Sequence, residues 1–140
     1  MRVGYRLRQW GSVDLARHHF YNALSLYHAV GDRLGIANTL KGLGNVELKS
    51  GIVNAARQHF DSALPLHEAL GDQLGKANTL ESLGDLELQL GNVDLARQHF
   101  YDALSLHQVV GSQQGMAGLR VPVLYVENTF LPTSVLGSDI

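Results

Sequence analysis

The sequence predicts an all-α protein, a solenoid of stacked helix–turn–helix repeats, on three observations. A phrase opens at Gly11 as GSVDLARHHFYNALSLYHAVGDRLGIANTLKGLGNVELKS and returns at Gly51 as GIVNAARQHFDSALPLHEALGDQLGKANTLESLGDLELQL. It starts a third time at Gly91 and loses its frame after Ala117; a fixed period of about 40 residues marks a stacked repeat architecture. Within the phrase, apolar residues recur at i, i+4, i+7, i+8 and i+11, one face of a 3.6-residue helical period. Glycines recur where consecutive helices would have to stop.

The elements follow in chain order. Residues 1–10 read as the back half of a repeat, because Gly4 stands one full period before Gly44, and Gly44 one full period before Gly84. The helical array is therefore expected over 1–120, as a partial repeat 1–10 and repeats 11–50, 51–90 and 91–120. From Val13 a helix carries Ala16, Phe20, Ala23, Leu24 and Tyr27 on one face. Leu15, Leu26 and Ala29 form a second apolar stripe, which implies a helix sandwiched between neighbours. Ser12 is expected to cap its start, as Asn92 would in the third copy, whereas Ile52 cannot. Gly31 supplies a stop, and Asp32 and Asp72 cap the helices that follow.

The next helix sets Ile36, Ala37, Leu40, Leu43 and Gly44 on one side. Gly44 and Gly84 each cost ~1 kcal/mol of helix propensity relative to alanine. That cost, met in both copies, predicts close approach of a partner helix. Gly51 and Gly91 end these segments. Pro65 falls inside the following helix, where proline costs ~3 kcal/mol, so a kink or early end is expected near Leu64. In the third copy Pro122 blocks a long helix. The tail 121–140 is β-branched, apolar and nearly uncharged, and is expected to be irregular: it either folds back over the last helix or is a poorly ordered end, with fold-back favoured for 121–131 and disorder expected for the final residues.

Composition narrows the function classes. The chain is 45% apolar and 17% charged, as folded domains are. Its net charge of -2, from 11 basic and 13 acidic residues, leaves no electrostatic footprint for nucleic acid or an anionic membrane. There are no cysteines, so disulfides and thiol chemistry are excluded. The start, MRVGYRLRQW, has no apolar core of a signal peptide, and the longest mostly apolar run, VPVLYV, is far short of the ~20 residues of a membrane span. A soluble, cytoplasmic protein is expected.

These residues resemble a tetratricopeptide repeat. Leu40, Leu43 and Gly44 match the first-helix positions of that motif, Gly51 its turn, and Ala56, Phe60 and Ala63 the small–large–small pattern of its second helix. Leu80, Leu83, Gly84, Gly91, Ala96, Phe100 and Ala103 repeat the match. The long period from Gly11 to Gly51, with a G-D-x-x-G-x-A link, is similar to the longer variety found in kinesin light chains, LGN-type adaptors, MalT-like regulators and the sensor arms of NACHT-type or NB-ARC-type NTPases. The resemblance implies a right-handed α-α superhelix whose first helices line a concave groove for peptides or partner proteins.

By that resemblance the groove is lined by Asn38, Lys41, Gly42, Asn45 and Lys49, and by Asn78, Glu81, Ser82, Asp85 and Gln89, with Arg2, Tyr5 and Gln9 extending it. Asn38 and Asn78 share a column, and an amide both donates to and accepts from a peptide backbone. Lys41 and Asn45 match two positions of a carboxylate clamp, but Glu81, Asp85, Gly118 and Pro122 break the rest of it. A ligand of mixed charge, basic toward Glu81 and Asp85, is more complementary. The columns Arg17, Arg57, Arg97 and Glu47, Glu87 suggest scaffold ion pairs. Seven histidines invite a metal reading, yet His19, His59 and His99 decorate successive repeats rather than converge. They are read as helix-surface residues, with no metal, cofactor or catalytic group expected.

The expected function is that of a non-enzymatic protein-interaction scaffold. The alternative is a fragment of a longer regulatory or sensor array, with a structural role and no complete ligand site of its own. Exposed repeat ends make self-association plausible.

Overall fold

The structure, a computed structural model, describes residues 2–130, with side chains over 11–128. Its helices are α1 (Arg2–Val30), α2 (Arg33–Lys49), α3 (Val53–Leu70), α4 (Gln73–Gln89), α5 (Val93–Val110), α6 (Gln113–Gly118) and α7 (Arg120–Phe130). Among the described residues there is no strand, so the all-α expectation holds. The chain divides into two compact units, Met1–Gly71 and Asp72–Ile140. In the first, α2 packs against α1 and α3; in the second, α4 packs against α5, and α5 against α6 and α7.

Local chemistry sets the helix ends. Asp32 and Asp72 accept hydrogen bonds from the Gly35 and Gly75 amides, each at 2.9 Å, and Ser112 does the same for Gly115 at 3.1 Å. Gly71 and Gly111 close α3 and α5 in the left-handed region, at φ 67° and 72°. Asn92 departs from expectation: it makes no side-chain cap, and its side-chain amide donates instead to Glu87 at 3.4 Å. The turn is already closed by the backbone, since the Asn92 backbone N–H donates to the Glu87 carbonyl at 2.8 Å, as the Ile52 N–H donates to that of Glu47.

The core of each helix pair is a ring set on a glycine. Phe60 and Phe100 are fully buried, together with Ala56, Ala63, Ala96 and Ala103. A Cβ on Gly44 would run into the Phe60 ring, and one on Gly84 into the Phe100 ring. The helix propensity lost at these glycines is offset by the contact they permit.

Several expectations are corrected. Ser12 caps nothing, because α1 runs unbroken through Gly11 and Ser12. The ring of Phe20, the register equivalent of Phe60, lies against Gly42 of α2. It is thus not free to anchor a returning helix at Gly4, and continuing through Gly11 keeps the backbone hydrogen bonds in line. The second stripe of α1 is not sandwiched: Leu15 and Leu26 are 56% and 69% exposed, and Ala29 is exposed too. Pro65 does not end α3, which has the same 18 residues as α5. Both Pro65 and Asp61 are exposed at the helix surface, so water can take the Asp61 carbonyl that loses its helical donor.

The third copy also keeps its frame. Together α6 and α7 occupy the positions one full repeat beyond α4, interrupted only at Leu119. Pro122 falls in the first turn of α7, where its missing N–H is no loss. Residues 121–130, expected to be irregular or folded back as a cap, belong to a helix packed on α5, with Val126 in it and Leu119 just before it fully buried. The expectations for 131–140 lie outside the described residues.

Candidate partner-binding site

Packing decides which side of α2 is left to bind anything. Gly44 is taken by Phe60 of α3 and Gly42 by Phe20 of α1. Gly42 is therefore a packing position, a correction to its expected place in the groove. Asn38, Lys41, Asn45 and Lys49, at i, i+3, i+7 and i+11, remain on one face. Asn38 and Lys49 are exposed and Lys41 and Asn45 half-buried. The side chains of Arg2, Tyr5 and Gln9 lie outside the described residues.

On α4 the same columns carry the opposite charge. Asn78, Glu81, Ser82 and Gln89 keep some solvent access, and Asp85 is exposed. Glu81 Oε2 comes within 3.9 Å of Nε2 of His107 on α5. A Cβ added to Gly118 of α6 would stand 3.8 Å from Glu81 Oε1. Desolvation pushes the Glu81 carboxyl above the ordinary carboxylate range, and the neighbouring Asp85 pushes it further. Asp85 keeps an open side to solvent, yet the surrounding protein desolvates its carboxyl enough to raise it too. His107 is lowered by burial.

This alternation of ring-on-glycine pairs with polar first-helix faces agrees with a sequence match of residues 36–108 to the tetratricopeptide repeat family model. The chain belongs to the tetratricopeptide repeat family. Comparison with curated proteins finds no significant match. Among solved structures, this chain is similar to BtubC (BKLC) from P. vanneervenii, with a TM-score of 0.57 and 16% identity over 93% of this chain. It covers 63% of that protein's chain. At this identity the likeness shows the fold. Tetratricopeptide repeats form a protein-interaction scaffold rather than a catalytic framework. Among the described residues no helix is long and apolar enough to cross a membrane, and no group of three metal-ligating side chains converges.

The tetratricopeptide framework here is held by ionic junctions, one of them on a buried carboxylate. Glu47 of α2 is fully buried; its Oε2 lies 3.5 Å from Arg17 Nη2 of α1, and its Oε1 meets His59 Nδ1 of α3. Tyr21, one turn along α1 from Arg17, sets its ring edge-on to His59 at 6.1 Å. One carboxylate thus fastens three helices. In the second unit Arg97 of α5 lies 3.7 Å from Glu127 of α7 and donates to the Val126 carbonyl at 3.3 Å. The Tyr101 hydroxyl donates to Glu127 at 2.7 Å, a bond that raises the phenol.

Glu127 stays hidden from sequence reasoning when the frame is ended at Ala117. The signal is present all the same, since Glu47, Glu87 and Glu127 fall at one position of successive repeats. Two histidines are also corrected. His67 and His107 are fully buried rather than on the surface, because they fall one and two repeats after Tyr27, at an inward position of the second helix. The His107 ring fills the space over Gly115.

Proposed function

We propose that the protein is an interaction module that holds a peptide or partner-protein segment on the outward faces of its first helices. The carrying observation is that packing claims the glycine sides of α2 and α4 and leaves Asn38, Lys41, Asn45 and Lys49, and Asn78, Glu81, Ser82, Asp85 and Gln89, on the remaining sides. Buried junctions such as Glu47–Arg17 fix the helices that present them, so little ordering cost is left for binding. The two faces differ in charge, with Lys41 on α2 and Glu81 on α4, so each favours a ligand group of opposite sign.

The test is selection from a randomised, capped dodecapeptide library by the full chain and by its Lys41→Glu and Glu81→Lys variants. The expected result is a selected pool whose composition shifts in each variant. A wild-type pool with no enrichment, or identical pools from all three proteins, would refute the reading. Absence of any enrichment would favour a structural role within a longer array.

A further inference from the structure

Glu81 and Asp85 are an unusual pair to leave together. They stand one turn apart on α4, where like charges repel, and the protein desolvates both. Among the described residues no lysine or arginine pairs with either carboxylate. His107, whose side chain is 1% exposed, lies beside Glu81. Neither of its ring nitrogens makes a hydrogen bond, and Nε2 is directed at Glu81 from 3.9 Å. Held neutral by burial, it brings no charge to Glu81. Gly118, with no side chain, leaves open the space beside Glu81 Oε1.

The helix beyond carries a different chemistry at the equivalent positions. Val121 and Tyr125 stand one repeat after Glu81 and Asp85 and are 74% and 57% exposed. The repeat register holds across the break at Leu119. Leu119 and Val126 are buried as Thr79 and Leu86 are, and Val121 and Tyr125 face outward as Asp85 does.

We infer that Glu81 and Asp85, backed by His107 and opened by Gly118, receive a basic side chain of the partner, with an apolar side chain of the same segment on Val121 and Tyr125. The cation relieves the repulsion between two carboxylates that lack any other counter-charge, and returns to them the stabilisation lost on leaving water. Arginine suits the site better than lysine, because its planar fork can engage carboxylates on two successive turns. This inference rests on the proposed binding of a peptide segment by the first-helix faces and names the chemistry of that segment.

The same dodecapeptide selection tests it, with two further variants and a titration. Wild-type protein is expected to enrich arginine, and lysine less strongly, at one position, with an apolar residue enriched nearby. The Glu81→Gln/Asp85→Asn double variant, which removes repulsion and so should fold, is expected to lose the basic preference and keep the apolar one. It should bind the best wild-type peptide about tenfold more weakly. Val121→Ser/Tyr125→Ser should do the converse. Basic enrichment that survives in the double carboxylate variant overturns the inference. So does a wild-type pool enriched in other residues, although peptide binding itself then stands. A pool without any enrichment brings down both.

Discussion

Replacing Gly11 by alanine tests the least expected element, the unbroken helix α1. Gly11 lies in the interior of α1, and a Cβ there meets nothing within 4 Å. No packing penalty opposes the gain in helix propensity, which is about 1 kcal/mol. For a chain of this size that corresponds to a melting temperature higher by roughly 3–5 °C. Gly51, one repeat on, is the contrast: its φ is 79°, and alanine in that left-handed conformation costs roughly 1–2 kcal/mol. Opposite signs are therefore expected from the same substitution at equivalent places in the repeat. Repeat arrays can unfold segment by segment, so thermal melts should be paired with amide hydrogen exchange in α1, where Gly11→Ala should increase protection. If Gly11→Ala lowers stability alongside Gly51→Ala, the chain turns at Gly11 and the continuous helix is wrong.

Two further perturbations address the buried polar groups. Arg17→Met leaves the buried Glu47 carboxylate with His59 alone. Because the Arg17 side chain is 32% exposed, the expected loss is about 2 kcal/mol, below that of a fully buried pair. A urea midpoint unchanged by Arg17→Met would contradict the junction. His107→Leu bears on pH dependence. Burial lowers the folded-state value of His107 below 6.5, so the unfolded chain binds more protons as pH falls through that value. The stability His107 contributes above pH 6.5 is lost as pH falls toward its lowered value. The wild-type minus variant difference should show that loss. Glu81 and Asp85, with raised values, act in the opposite sense at lower pH, stability falling as pH rises above their ordinary values of 4.5 and 3.8. A difference curve for His107→Leu that stays flat on the acid side of neutrality would rule out a neutral, buried His107.

What can be read from sequence is what repeats with the same residue type. Gly44 over Phe60 and Gly84 over Phe100 are predictable because a helix-interior glycine has a physical cost that only close packing explains. The Asp32 and Asp72 caps are legible for the same local reason. Glu127 escapes because Pro122 reads as a breaker until one asks which turn of a helix it would occupy. The burial of His67 and His107 escapes when residue type is weighed above position: their column begins with Tyr27, a side chain of similar shape. Pro65 shows the limit of a propensity scale, since a surface carbonyl partner lets water take the missing bond. The faces of α2 and α4 are legible as faces, from spacing alone. The environment of Glu81, between His107 and Gly118, depends on which helices meet and is not.

The ring-on-glycine contact has a consequence for how the chain reaches its fold. Gly44 and Gly84 are interchangeable receptors, and Phe60 and Phe100 interchangeable inserts, so the contact itself cannot tell α3 from α5. Chain connectivity can. Native closure of Gly44 onto Phe60 crosses a single turn, whereas miscapture of Phe100 by Gly44 loops out a whole further repeat. That roughly threefold longer closure costs about 1 kcal/mol more, a bias of several-fold toward the correct partner in each collapse. The margin is modest at the level of one contact. Near-identical neighbours invite misassembly and swapping in repeat proteins, and here the short links after α2 and α4, closing early, are what sort identical contacts into their proper pairs.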